Sequence, residues 1–249
     1  MIPIVDLHCD LLEYLAQDPA RSPNDRAVPC CIPFLIEGGV KLQTLAVFTM
    51  TEPGSVASGQ RQLNALKSLK LTPNAPQFAW AIENASGFCT EDEPLAKAIQ
   101  RLYNNIECHG VPLYVSLTWN SANRFGGGNC SDLGLKPDGR ELLHLLNENG
   151  IAVDLSHTCD RLAYDILDEA EREGLTLPIL ASHSNARSVC KAPRNHPDDL
   201  VKEISRRKGL IGLNLFSGFV GGDWTCLAAH VERLLELGAE DALCFGADF

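Results

Sequence analysis

Apolar runs of strand length alternate along this chain with stretches of helical periodicity. Eight such runs stand at residues 2–5, 42–48, 78–82, 111–117, 151–155, 177–181, 210–215 and 242–245. Near-continuous apolar strands separated by helices belong to a parallel β/α architecture, whose strands are buried on both faces. The helices between them are legible. Leu95, Ile99, Leu102 and Ile106 line one face, and Gly110 follows the end. Asp138 and Glu141 have the spacing of a capping box ahead of Leu142, Leu143, Leu145 and Leu146, with Gly150 as the stop. Leu162, Ile166 and Leu167 mark a helix after the fifth strand, and Pro197-Asp198-Asp199 opens one carrying Leu200, Val201 and Ile204. Leu227, Val231, Leu234 and Leu235 form another, closed by Gly238. The order predicts a (β/α)8 TIM barrel, with residues 1–249 forming a single domain. Nothing helical follows the eighth strand before Phe249. The barrel is therefore expected to be C-terminally incomplete, lacking its last helix, and the isolated chain is expected to be unstable.

Two connections break the rhythm, residues 16–31 and 120–140. Both follow strand ends, where a barrel keeps its active-site loops. The second carries Gly126-Gly127-Gly128 without the Lys-Ser/Thr of a phosphate loop, so a mobile loop is expected there rather than a nucleotide site.

Composition narrows the function classes. A net charge of −11 lacks the basic footprint that nucleic acid requires. No apolar stretch is long enough for a membrane span, and no basic-then-apolar leader opens the chain. Ten cysteines include no C-x-x-C pair, and Cys30-Cys31 are adjacent, which suits neither a zinc knuckle nor a disulfide framework. The expectation is a cytoplasmic protein with reduced thiols packed as small hydrophobes.

The chemistry gathers at the strand ends. Asp6-Leu7-His8-Cys9-Asp10 follows the first apolar run. Side chains at i and i+2 share a face, so His8 and Asp10 project together and Cys9 points away. Glu83 ends the third run, His157 follows the fifth, His183 the sixth and Asp248 the eighth. In a barrel these ends share one mouth, so three imidazoles and three carboxylates converge there, the donor types that hold zinc-like ions. A carboxylate has two oxygens to share, and Glu83 fits a bridge between two metals. His8 and Asp10 then complete one ion, His157 and His183 the other, and Asp248 remains to carry a proton. The other histidines read as structural: His109 at a helix end, and His144 and His230 within helices, at the surface or in packing. His196, two residues from Arg194, is a further candidate for the pocket wall.

Several stretches, in order from end to end, resemble the membrane (renal) dipeptidase family of zinc peptidases, in the amidohydrolase superfamily. They are Val5-Asp6-Leu7-His8-Cys9-Asp10, Ile82-Glu83-Asn84-Ala85, Leu117-Thr118-Trp119-Asn120, Asp154-Leu155-Ser156-His157, Ser182-His183-Ser184-Asn185-Ala186, Arg194-Asn195-His196-Pro197-Asp198-Asp199 and Gly246-Ala247-Asp248-Phe249. The resemblance implies two Zn2+ ions bridged by Glu83, with His8, Asp10, His157 and His183 as the other ligands. It implies Asp248 as the acid/base, Arg194 as the grip on a substrate carboxylate, and Trp119 and Asn120 in the substrate site. The implied activity is hydrolysis of small dipeptides by metal-activated hydroxide, in a protein that can form a homodimer. Two departures stand out. Trp119 occupies a position where some members carry a histidine that contacts substrate, and a tryptophan cannot polarise a carbonyl in its place. The family usually continues Asp-Phe-Asp-Gly after the last strand, whereas this sequence stops at Phe249. The alternatives are another amidohydrolase reaction on the same metals, on N-acyl amino acids or lactones, and an inactive truncated paralogue.

Overall fold

The computed structural model describes residues 3–70 and 73–249. Its strands are β1 (Ile4–Cys9), β2 (Val40–Phe48), β3 (Gln77–Glu83), β4 (Tyr114–Ser116), β5 (Ala152–Asp154), β6 (Ile179–Leu180), β7 (Ile211–Leu213) and β8 (Leu243–Phe245). The helices are α1 (Leu11–Gln17), α2 (Ile32–Glu37), α3 (Ser55–Ser68), α4 (Leu95–His109), α5 (Pro137–Glu148), α6 (Asp160–Arg172), α7 (Asp198–Arg206), α8 (Ser217–Val220) and α9 (Thr225–Glu236). All strand pairs are parallel, in the order β6-β5-β4-β3-β2-β1-β8-β7. The circle closes where Ala181, just past β6, bridges Ile211 of β7. The amide of Ala181 donates to the Leu210 carbonyl at 2.9 Å, and the amide of Gly212 to the Ala181 carbonyl at 2.8 Å. The chain is a (β/α)8 barrel, as the alternation of runs and helices predicts.

The helices pack as their apolar stripes require. In α5, Leu142, Leu143, Leu145 and Leu146 are buried, and in α6, Leu162, Ile166 and Leu167. Full burial of one such side chain is worth ~1.5–3 kcal/mol, so these stripes fix the helices to the sheet without further signals. α4 stops at Gly110, whose φ of 82° ends the helix while its amide donates to Ile106.

Four expectations are corrected. The first strand extends beyond the apolar run at residues 2–5, of which residue 2 lies outside the described residues. β1 runs through Cys9, so Asp6 and His8 are strand residues facing the barrel interior. Polar residues on the inner face hide the strand from a search for apolar runs. The capping box at Asp138 is not formed. Pro137 opens α5, and the Asp138 carboxylate accepts from Arg124 Nε at 2.6 Å. The glycines at 126–128 form a packed, buried segment, with Gly128 bridging Thr158, rather than a mobile loop. A Cβ on Gly128 would stand 1.8 Å from the Trp119 carbonyl oxygen, so the glycine permits two loops to touch. His196 lies in the interior at 4% exposure, away from the cavity wall.

One glycine of β8's end positions the site directly. A Cβ on Gly246 would lie 1.9 Å from the Ser182 carbonyl oxygen and 2.9 Å from His183 Cα, both backbone atoms that cannot swing aside. Gly246→Ala is therefore expected to destabilise the barrel by ~1–3 kcal/mol or more, the usual range for overpacking. Thermal unfolding should show Tm lower by roughly 2–4 °C per kcal/mol. An unchanged Tm would mean that β6 and β8 can part at no cost.

Candidate metal centre

Each donor reaches the mouth of the barrel by a local device. His8 points inward from β1 by strand alternation, and Asp10 follows at the strand's end. Glu83 is the last residue of β3, held in register by seven successive pairs that end at Phe48↔Glu83. His157, His183 and Asp248 lie just beyond β5, β6 and β8. Asn84, His157 and Asp248 have φ of 74°, 67° and 65°, left-handed values that cost energy in non-glycine residues. These bends turn the chain out of its strand at the points where it must present a donor.

The donors meet around Glu83. Its Oε2 lies 3.3 Å from His8 Nε2, and its Oε1 lies 2.8 Å from His157 Nε2 and 3.5 Å from His183 Nε2. His8 Nε2 is also 3.7 Å from Asp10 Oδ1 and 3.8 Å from Asp248 Oδ1. Two groups of ligand atoms, His8–Asp10–Glu83 and Glu83–His157–His183, each fit within 4.8 Å, as does His8–His183–Asp248. Glu83 thus offers one oxygen to each of two donor sets.

The hydrogen-bond count fits cations. The Tyr114 hydroxyl has one proton, donated to the Leu7 carbonyl at 3.1 Å, so it accepts from His8 Nδ1 at 2.8 Å. Asn120 Oδ1 accepts from His157 Nδ1 at 2.9 Å. When neutral, each ring therefore turns a bare Nε2 lone pair toward the carboxylates. His8 Nε2 and Asp10 Oδ1 are buried with no hydrogen-bond partner, an arrangement that costs energy unless an ion takes up the pairs. His157 Nε2 and His183 Nε2 face each other at 2.9 Å. Desolvation, followed by the charge of Arg194, pushes His157 down to about 3, so a proton is a poor bridge between them. A divalent ion is a good one.

Burial acts against ionisation at all three carboxyls, and nearby positive charge acts for it. Burial raises Glu83, and positive charge at His8 and His157 would bring it well below the usual range; with both rings neutral, a bound cation takes that place. At Asp248, too, burial raises the carboxyl and positive charge at His183 and His8 lowers it. Asp10 is raised by burial.

A cavity of about 480 Å³ opens over this cluster, lined by Asp10, Glu83, His157 and Asp248 and by Trp119, Asn120, Arg194, Phe48, Phe216 and Phe219. Trp119 meets Phe48 edge-on at 5.2 Å and lies 5.8 Å from the His157 ring. Arg194 is buried, with its guanidinium 5.4 Å from the Phe219 ring centroid. It donates to Ser184 Oγ at 3.3 Å and the His183 carbonyl at 3.2 Å, its Nε lacks a partner, and no carboxylate pairs with it among the described residues. All nine candidate residues named from the sequence are thus brought together.

Sequence reasoning missed the groups that brace them. Asp6 Oδ1 accepts from the amides of His8 and Ala247, both at 3.1 Å, tying β1 to the residue before Asp248. Asn214, after β7, donates to Asp248 Oδ2 at 2.8 Å. His230, by contrast, is the packing residue that the sequence predicts, fully buried and bonded to Ala186 N and the Val220 carbonyl. Asp6 carried a usable signal, a carboxylate inside a strand that otherwise reads apolar.

A parallel barrel with clustered imidazoles and carboxylates at its C-terminal mouth defines a (β/α)8 protein with a candidate metal centre. A family model for membrane dipeptidase, peptidase family M19, matches residues 93–249. That is more than half of the chain, and the chain belongs to this family. It is 30% identical over 147 residues to an uncharacterized protein in the pqqA 5' region of Klebsiella pneumoniae, covering 53% of this chain and 52% of that protein. It is 28% identical over 148 residues to an uncharacterized dipeptidase of Schizosaccharomyces pombe, covering 55% of this chain and 34% of that protein. The chain thus spans about half or less of the length of these curated relatives. Among solved structures it shares the fold of a metallo peptidase from Rhodobacter sphaeroides liganded with a phosphinate mimic of the dipeptide L-Ala-D-Ala. The TM-score is 0.82 at 19% identity, over 100% of this chain and 86% of that one. A second metallo peptidase, dipeptidase AC, gives 0.83 at 20% identity over 100% and 85%. No helix among the described residues is long and apolar enough to cross a membrane.

Proposed function

We propose that this barrel is the catalytic unit of a zinc-dependent dipeptidase, with His8, Asp10 and Glu83 holding one ion and Glu83, His157 and His183 the other. The split of Glu83 carries this reading, one oxygen 3.3 Å from His8 Nε2 and the other 2.8 Å from His157 Nε2. The bound ions supply Lewis acidity, which lowers the pKa of a water and polarises the scissile carbonyl. The protein's own residues do the rest. Arg194 receives the terminal carboxylate of the dipeptide, for which a guanidinium fork is well shaped. Trp119 with Phe48, and Phe216 with Phe219, cover the bound substrate and keep bulk water out of the cavity. Asn120 lines the same wall while orienting His157. Asp248, steadied by Asn214, takes a proton from the attacking water and delivers it to the leaving amine.

The test is metal content and dipeptide hydrolysis measured on one sample purified without chelator. About two zinc ions per chain and turnover of a short substrate with a free C-terminus are expected. One ion or fewer after zinc reconstitution counts against the paired centre. A preference for substrates without a terminal carboxylate counts against the dipeptide. Arg194→Ala is expected to raise KM by about 10- to 100-fold with a smaller change in kcat, since a charge-assisted contact present in the ground state is lost. A normal KM would remove Arg194 from the substrate site.

A further inference from the structure

We propose that Asp154, acting through the hydroxyl of Ser182, is a positioning relay that fixes the tautomer of His183 and thereby the affinity of one metal position. The inference rests on the metal-centre reading above and concerns two residues that do not touch the ion.

Asp154 ends β5 in full burial and accepts four hydrogen bonds. Oδ1 takes the backbone amides of Ser156 at 3.0 Å and Ser182 at 2.8 Å. Oδ2 takes the hydroxyls of Ser116 and Ser182, both at 2.7 Å. Ser182 Oγ also lies 2.6 Å from His183 Nδ1. A hydroxyl has one proton. If Ser182 gave it to His183, two oxygen lone pairs would face each other at the Asp154 contact. The proton therefore goes to Asp154, and His183 Nδ1–H donates to Ser182. His183 Nε2 is left bare, toward Glu83 and His157. The three histidines thus have different backing: a phenol at His8, an amide at His157, and a carboxylate, reached through Ser182, at His183.

The same geometry makes Asp154→Asn a sharp test. The two backbone amides at Oδ1 require an acceptor, so the new amide must keep its oxygen there. Its NH2 then takes the place of Oδ2 and donates to Ser182. With its acceptor gone, the Ser182 proton is free to turn to His183 Nδ1, which moves the ring proton to Nε2 and blocks the ligand atom. Ser182→Ala removes the relay without reversing it.

Two measurements separate this inference from the metal reading. In the metal-free protein, long-range 1H–15N spectra should show His183 protonated at Nδ1 in wild type and at Nε2 in Asp154→Asn. In the zinc-loaded protein, chelator competition should show Ser182→Ala weakening one of the two ions by about 10- to 100-fold, the range for losing a partner behind a metal-bound histidine. Asp154→Asn should weaken the same ion more. A His183 protonated at Nε2 in wild type overturns the relay. So does a wild type that holds two ions while both variants bind them with unchanged affinity. If Asp154→Asn fails to fold, the Ser182→Ala affinity and the wild-type tautomer still decide the matter. A wild type with the expected tautomer and no affinity for zinc overturns the metal-centre reading and the affinity half of this one, leaving the tautomer assignment standing.

Discussion

Asp248→Asn is expected to lower kcat by about 10²- to 10⁴-fold, the range for a general acid or base, while leaving metal content and KM nearly unchanged. The amide matches the carboxylate in size. Its oxygen can keep the hydrogen bond that Asn214 Nδ2 makes to Asp248 Oδ2 at 2.8 Å, so the side chain stays in place. What it loses is the ability to take up and release a proton. The other oxygen lies 3.8 Å from His8 Nε2 and belongs only to the third group, with His8 and His183, so each set that shares Glu83 keeps all its ligands. Both ions should therefore remain. Steady-state kinetics with elemental analysis on one preparation checks this, and a kcat within a few-fold of wild type would assign the proton transfer elsewhere.

Glu83→Gln should have the broader effect. An amide nitrogen is a donor and cannot ligate a cation, so at least one donor set loses an oxygen. Partners behind a metal ligand already cost 10- to 100-fold, so losing the shared ligand itself should weaken binding by at least ~10²-fold, with activity falling to match. The fold should survive, because glutamine has the same length and Glu83 is the last residue of a strand held by seven register pairs. Titration of the metal-free protein with zinc, beside a melting curve, reads both quantities. Two ions bound at normal affinity would mean that Glu83 is not the bridge.

The barrel was readable because its strands are buried on both faces and its helices mostly carry strong apolar stripes. The exceptions have physical causes. α3 lacks such a stripe because its inner face is built from Gly59 and Gln62 as well as Leu63. Gln62 uses both ends of its amide on the Phe48 backbone, and a Cβ on Gly59 would stand 2.6 Å from the Gly87 carbonyl oxygen. Polar satisfaction and close backbone approach replace apolar burial there, so periodicity is blind to it. β1 was cut short for a related reason, since its inner face carries Asp6 and His8. At the site, the donors announced themselves by chemical type and by position at strand ends. The bracing groups did not, because serine, asparagine and tyrosine are common in any strand or loop. Their roles at Tyr114, Ser182 and Asn214 depend on which atoms meet across strands, and no local pattern encodes that. The packed glycines at 126–128 were misread for the same reason: glycine permits both freedom and contact, and only the neighbours decide which.

The left-handed bends at Asn84, His157 and Asp248 set this barrel's durability against its chemistry. At each of these positions glycine would relieve the conformational cost, and a selection for heat resistance alone would drift toward it. At His157 that drift deletes a candidate ligand, and at Asp248 the candidate proton carrier. At Asn84 it removes a side chain that donates to the Thr49 carbonyl at 2.8 Å and accepts from Asn123 at 3.1 Å, beside Glu83. Engineering for thermostability should therefore leave these three strand ends alone and look to the outer helices, where added stability does not compete with the reaction.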